Sequence, residues 1–202
     1  MLQYRTLAPA SVELLKQIML APFLTDFTLA GGTALALQIG HRESYDLDLF
    51  SRAPFSTEEI FLKLNQEYAA ELVSKSEHIL VAFIRGIKVD CVFHPYTFKY
   101  PVVAQDGIRL LHIEDIAAMK LSAIAGRGRK RDFFDLYFLL REFPLHQMLD
   151  WYADKYGDSS TFHAVRSLTY FEDAEADADP VLFEQITWEQ VKQRLVKAVG
   201  AL

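Results

Sequence analysis

Two glycines between an apolar strand and a helix, followed by a strand of alternating carboxylates, constrain this chain more than any other feature. The segment from Phe27 to Phe50 reads Phe-Thr-Leu-Ala-Gly-Gly-Thr-Ala-Leu-Ala-Leu-Gln-Ile-Gly-His-Arg-Glu-Ser-Tyr-Asp-Leu-Asp-Leu-Phe. It predicts an apolar strand, a turn at Gly31 and Gly32, a helix from near Thr33, a polar loop and a second strand carrying Asp46 and Asp48. Side chains at i and i+2 of a strand share a face, so the two aspartates point one way while Leu47 and Leu49 point into the core. With Cα atoms about 6.6 Å apart, two such carboxylates can converge on a hard cation. Mg²⁺, with Mn²⁺ as its substitute, wants oxygen ligands and keeps room for substrate phosphates. Glycine lets the backbone approach a phosphate closely, and the free N–H groups of a helix start point at the same place. Either part alone has a plainer reading, a turn or a solvated strand face. In this order they describe a site for a metal-bound nucleoside triphosphate.

A third carboxylate lies further on. His78–Ile84 and Ile87–Phe93 are β-rich runs separated by Arg85-Gly86, the pattern of a hairpin. In the second run Ile87, Val89, Cys91 and Phe93 share one face, and Lys88, Asp90 and Val92 the other. A buried carboxylate is costly unless it is paired or binds a metal. Asp90 therefore has two readings, a salt bridge to a nearby Lys or Arg, or the third member of a metal triad with Asp46 and Asp48.

Beyond the hairpin, Ile113 to Ala125 has helical spacing, with Glu114 and Asp115 at the end where negative charge suits the dipole. Gly126-Arg-Gly-Arg-Lys-Arg131 breaks the pattern, and a new helix is expected from about Asp132. Lys120, on or beside the buried face, either snorkels to solvent or reaches a triphosphate. Asp132 and Asp135 share a helix face. In one reading Asp132 caps the helix and Asp135 pairs with Arg131 or Arg129; in the other, one of them fixes Lys120 or an arginine, or contacts the acceptor. Arg127, Arg129, Lys130 and Arg131 form a basic loop that is either simply solvated or neutralises phosphates.

Three stretches carry a resemblance to a known family: Ala30-Gly-Gly-Thr-Ala-Leu35, Arg42-x-Ser44-x-Asp46-Leu-Asp48-Leu-Phe50, and Lys120-Leu-Ser-Ala followed by Arg131-Asp-Phe-Phe-Asp-Leu-Tyr137. Over about residues 25 to 140 the chain resembles the AbiEii/AbiGii toxin-type nucleotidyltransferases of the minimal nucleotidyltransferase (DNA polymerase β-like) superfamily. The resemblance implies an α+β fold, a small mixed β-sheet packed with helices and followed by a helical C-terminal region. It also implies transfer of a nucleotide from an NTP to a tRNA end, another RNA or a protein, and a place in a bacterial toxin–antitoxin or abortive-infection system with a cognate antitoxin. Under it Asp46, Asp48 and Asp90 hold metal, Gly31, Gly32 and Thr33 cradle phosphates, and Lys120 offsets charge on the leaving pyrophosphate. Asp132 or Asp135 joins Lys120. Arg42 and Ser44, just before the acidic strand, are placed to touch phosphate, though Arg42 can equally pair with Glu43 or Asp46.

Length and composition set the remaining limits. A chain of 202 residues, 51% hydrophobic, can bury a sizeable core. The expected division is a nucleotidyltransferase core over 1–112 and a helical region over 113–202 packed on it. A formal net charge of −6 argues against a broad nucleic-acid binder. No uncharged apolar run is long enough to span a membrane, and the N-terminus lacks the apolar core of a signal peptide. The single cysteine, Cys91, suits a reducing cytoplasm and a packing role. Six histidines without zinc-type spacing argue against a histidine metal site. Ser11 to Leu20 is expected as a helix capped by Ser11, and Ser56 to Glu59 as a capping box starting a helix to about Ala70. Asp106-Gly107 marks a second turn. Helices are then expected over Leu145–Tyr156, Phe162–Leu168 and Thr187–Val199, with a loop at 157–160 and a solvated acidic loop from Glu172 to Pro180. Two other functions fit the same residues: a nucleotide-sensing or partner-binding module without turnover, and a metal-dependent phosphohydrolase.

Overall fold

The computed structural model describes residues 1–157 and 161–202. By contacts the chain forms two units, one of residues 1–40, 44–97 and 101–111, the other of 41–43, 98–100 and 112–202.

The first unit carries α1 (Pro9–Leu20), β1 (Phe27–Leu29), α2 (Gly31–Ile39), β2 (Leu47–Ser51), α3 (Thr57–Tyr68), β3 (Glu71–Lys75), β4 (Ile79–Ile84), β5 (Ile87–Phe93), β6 (Val103–Gln105) and β7 (Ile108–Leu110). The strands form one mixed sheet in the order β3-β4-β5-β2-β1-β7-β6. β2 and β5 run parallel, as do β1 and β7, and the other pairs are antiparallel. Period-two burial gives the sheet a core face and an open face. Leu47, Leu49, Leu80, Ala82, Val89 and Cys91 are buried, while Asp48, Phe50, Val81 and Asp90 alternate with them and are half-exposed. Burial first, then the neighbouring Asp90 charge, pushes the Cys91 thiol up to about 12, which suits a packing residue. Helix α3 packs on β3 and β4, α2 on β2, and α1 on β7.

The β4–β5 and β6–β7 hairpins turn where left-handed backbone is needed, at Arg85 (φ 52°) and Gly86 (φ 76°), and at Asp106 (φ 52°) and Gly107 (φ 78°). Ser56 caps α3 by accepting from the Glu59 N–H. Some boundaries differ from expectation. Helix α1 starts at Pro9, whose fixed φ suits the first turn, and Ser11 lies inside it, buried. β3, all five of whose residues are exposed, was not expected. An edge strand lacks the alternation that marks a half-buried one. Asp46 comes just before β2 rather than within it.

The second unit contains α4 (Ile113–Arg127), α5 (Lys130–Glu142), α6 (Leu145–Tyr156), α7 (Thr161–Ser167), α8 (Glu172–Glu175) and α9 (Trp188–Val199). Helix α4 runs on through Gly126 and ends at Gly128 in the left-handed conformation, and α5 begins at Lys130, two residues earlier than expected. The acidic stretch is not a free loop. It forms α8, and Asp177 accepts from Arg129 (2.9 Å) and from the Lys130 N–H (3.1 Å), while Lys130 Nζ lies 3.2 Å from Asp179. The basic segment is thus matched by the acidic one. Thr187 and Gln190 form a reciprocal capping box at α9. Of the loop expected at 157–160, residues 158–160 lie outside the described residues.

Candidate functional site

The sheet brings two of the three strand carboxylates into line. β2 and β5 pair in parallel with Asp48 opposite Asp90, so both project from the open face at neighbouring positions. Asp46 precedes Asp48 by two residues, just outside β2. One oxygen of Asp90, Oδ2, lies 2.5 Å from the Lys88 ammonium. The other, Oδ1, is buried and has no hydrogen-bond partner. Both readings of Asp90 thus meet at one side chain: a salt bridge holds one oxygen and the second is left over.

The start of α2 is built against Asp48. Gly31 has φ +65°, and a Cβ there would overlap Asp48 Oδ2. Both the backbone angle and the space require glycine. The Ala30 N–H donates to the Asp48 carbonyl at 2.8 Å, locking strand to helix start. The N-cap residue of α2, Ala30, has no side-chain oxygen with which to cap the first N–H groups of the helix.

Two expected phosphate contacts have other partners. The Thr33 hydroxyl, buried, donates to the Asp46 carbonyl and lies 2.8 Å from the Ser44 hydroxyl. A hydroxyl has one proton. Since Thr33 spends its proton on Asp46, Ser44 is the donor between the two. The hydroxyls form a relay that pins the backbone of Asp46.

In the second unit the candidates meet in one buried ionic cluster. Asp135, fully buried, accepts from Arg42 Nε (2.6 Å) and Nη2 (3.0 Å) and from His41 Nε2 (2.7 Å), with Lys120 Nζ at 2.5 Å. Asp132 accepts from Lys120 Nζ (2.8 Å) and Arg127 Nε (3.1 Å). Asp135 thus takes Arg42, His41 and Lys120 as partners rather than Arg129 or Arg131, and Arg42 also donates to the Glu43 carbonyl. Burial pushes the Asp135 carboxyl up, but Arg42, Lys120 and His41 outweigh it and hold it well below the usual carboxylate range. Asp132 is lowered in the same way, burial being outweighed by Lys120 and Arg127. Burial lowers His41, against the pull of Asp135. His41 is thus neutral, with Nε2 as the donor to an acceptor-only carboxylate. It was not a sequence candidate, since a lone histidine gives no spacing signal.

Among the described residues no three His, Cys, Asp or Glu side chains are grouped as a ready-made metal cage. Mg²⁺ does not need one, since it takes one or two carboxylates, waters and substrate phosphates. A hard oxygen-donor pair in register, with a buried Asp90 oxygen left over, fits such an ion. No helix among the described residues is long and apolar enough to cross a membrane.

Comparison with known proteins places the chain in a family and a fold. The family model for the AbiEii nucleotidyl transferase toxin of type IV toxin–antitoxin systems matches residues 13–201. An uncharacterized protein of Aquifex aeolicus is 33% identical over 201 residues, covering 94% of each chain. Among solved structures, the nucleotidyltransferase toxin MenT4 of Mycobacterium tuberculosis superposes with a TM-score of 0.59 at 16% identity, covering 94% of this chain and 84% of that one. JHP933 of Helicobacter pylori gives 0.55 at 20% identity, covering 96% and 92%. The mixed sheet with helices is the fold these structures share with it.

Proposed function

Because the chain belongs to the AbiEii nucleotidyl transferase toxin family, we propose that it is a Mg²⁺-dependent nucleotidyltransferase, moving a nucleotide from an NTP to an acceptor hydroxyl. The observation that carries this reading is the register of Asp48 with Asp90 beside a glycine helix start that only glycine can form. Mg²⁺, or Mn²⁺ in its stead, held by Asp46, Asp48 and Asp90, would neutralise the triphosphate and clamp the attacking and leaving oxygens. The chain's own groups supply the rest. The N–H groups of Gly31, Gly32 and Thr33 receive phosphate oxygens at the positive end of α2. Asp90 Oδ1 accepts the proton of the acceptor hydroxyl as its oxygen bonds to the α-phosphorus, the bond to the β-phosphate oxygen breaks, and pyrophosphate leaves.

Lys120, Asp132, Asp135 and Arg42 have a supporting role in this reading. Their charges are committed to one another, so the cluster holds α4, α5 and the segment that leads in sequence to Asp46. RNA, a tRNA end in particular, is the proposed acceptor, in the cytoplasm and under restraint by a cognate antitoxin. The test incubates the protein with each α-³²P NTP, Mg²⁺, total RNA and total protein, beside Asp48→Asn. Label entering RNA with the wild type alone supports the proposal. Label entering protein alone replaces RNA as the acceptor, and nucleotide binding without transfer favours the sensing module.

A further inference from the structure

We infer that Lys88 is the positioning residue of Asp90: it takes one oxygen of that carboxylate and leaves the other unpaired for the reacting groups. The inference rests on the nucleotidyltransferase reading above. Lys88 and Asp90 are i and i+2 on β5 and share the open face of the sheet. Lys88 Nζ lies 2.5 Å from Asp90 Oδ2, while Oδ1 is buried without a partner. The cross-strand neighbours on β4 are apolar, Phe83 opposite Lys88 and Val81 opposite Asp90, so they bring no competing side-chain donor.

An exposed ion pair holding both oxygens loosely would have little consequence. This pair differs because it is lopsided. A carboxylate with one oxygen fixed by an ammonium has its rotation set, and the second oxygen keeps its acceptor capacity. Leaving a buried acceptor unfilled costs stability, which is consistent with an atom kept to receive a cation or a proton. The same ammonium is a positive charge beside a cation site, so it weakens metal binding while it aims the carboxylate. Affinity and rate should then move in opposite directions when Lys88 is removed.

The test uses the full chain with Lys88→Met, which keeps the aliphatic stem, and Lys88→Arg, which restores a cationic donor. Transfer from a mixture of the four α-³²P NTPs gives kcat and KM. Mn²⁺ titration of the nucleotide-free protein, followed by electron paramagnetic resonance, reads metal affinity without turnover. Lys88→Met is expected to lower kcat by about tenfold or more while KM stays within about twofold, the signature of a lost alignment. Mn²⁺ binding tightens by about two- to tenfold as the neighbouring charge goes. Lys88→Arg recovers most of the rate. A kcat close to wild type, an effect confined to KM, or Mn²⁺ affinity that is unchanged or weaker would each overturn the inference. If the wild type transfers no label, the nucleotidyltransferase reading fails by itself. The Mn²⁺ arm still decides Lys88: tighter binding keeps it as the cation-site partner of Asp90, and no change removes it.

Discussion

Gly31 and Thr33 show how narrowly the helix start is specified. Gly31→Ala has to place a Cβ where Asp48 Oδ2 sits, in left-handed backbone. The backbone term alone costs about 1–2 kcal/mol. The overlap adds to it and displaces a candidate ligand, so urea denaturation should show a loss at least that large, with transfer activity falling further than stability does. Thr33→Val is a different experiment, because it preserves shape and removes one hydroxyl. The Asp46 carbonyl and the Ser44 hydroxyl then lose their shared partner, at a cost of about 1–3 kcal/mol. Thr33→Ser keeps the hydroxyl and should be close to wild type in the same denaturation. If Thr33→Val instead left stability intact and raised only the KM for NTP, its hydroxyl would be a phosphate ligand after all.

At the scale of elements, α4 and α5 are joined by charge as much as by packing. Asp135 draws together Arg42, His41 and Lys120 without exposure to solvent. Removing one partner from a buried ionic cluster leaves the others uncompensated, so Asp135→Asn should cost about 3–5 kcal/mol at pH 7. The pH dependence has a defined sign. The Asp135 carboxyl titrates well below the usual carboxylate range when folded and at about 3.9 when unfolded. Its stabilisation is therefore complete above the unfolded value and is lost as pH falls through the folded one. Urea midpoints taken from pH 7 down to pH 3 should show the gap between wild type and Asp135→Asn narrowing only below about pH 4. These elements also show what a sequence discloses. β2, β5 and the hairpin turns were legible because period two and Arg-Gly or Asp-Gly punctuation are local signals. The partners of Asp135 were not, since Arg42 and Asp135 stand 93 residues apart and nothing local pairs them. Lys88 was visible on the face of Asp90, yet only the geometry shows which oxygen it holds.

For the whole molecule, charge is arranged to be satisfied internally. Arg129 and Lys130 meet Asp177 and Asp179, so part of the basic segment is paired within a chain of net charge −6. The open sheet face, with Asp48 beside Asp90 and the start of α2 built against Asp48, is where the chain brings carboxylates and a helix N-terminus together. The most direct measurement compares Mg²⁺-dependent transfer of α-³²P-labelled nucleotide by the wild type and by Asp48→Asn, with circular dichroism verifying that both are folded. Chemistry at that face predicts transfer by the wild type and a loss of about a thousandfold or more in the variant, as expected when metal-centred charge stabilisation is removed from phosphoryl chemistry. Folded Asp48→Asn that transfers label at the wild-type rate would contradict it.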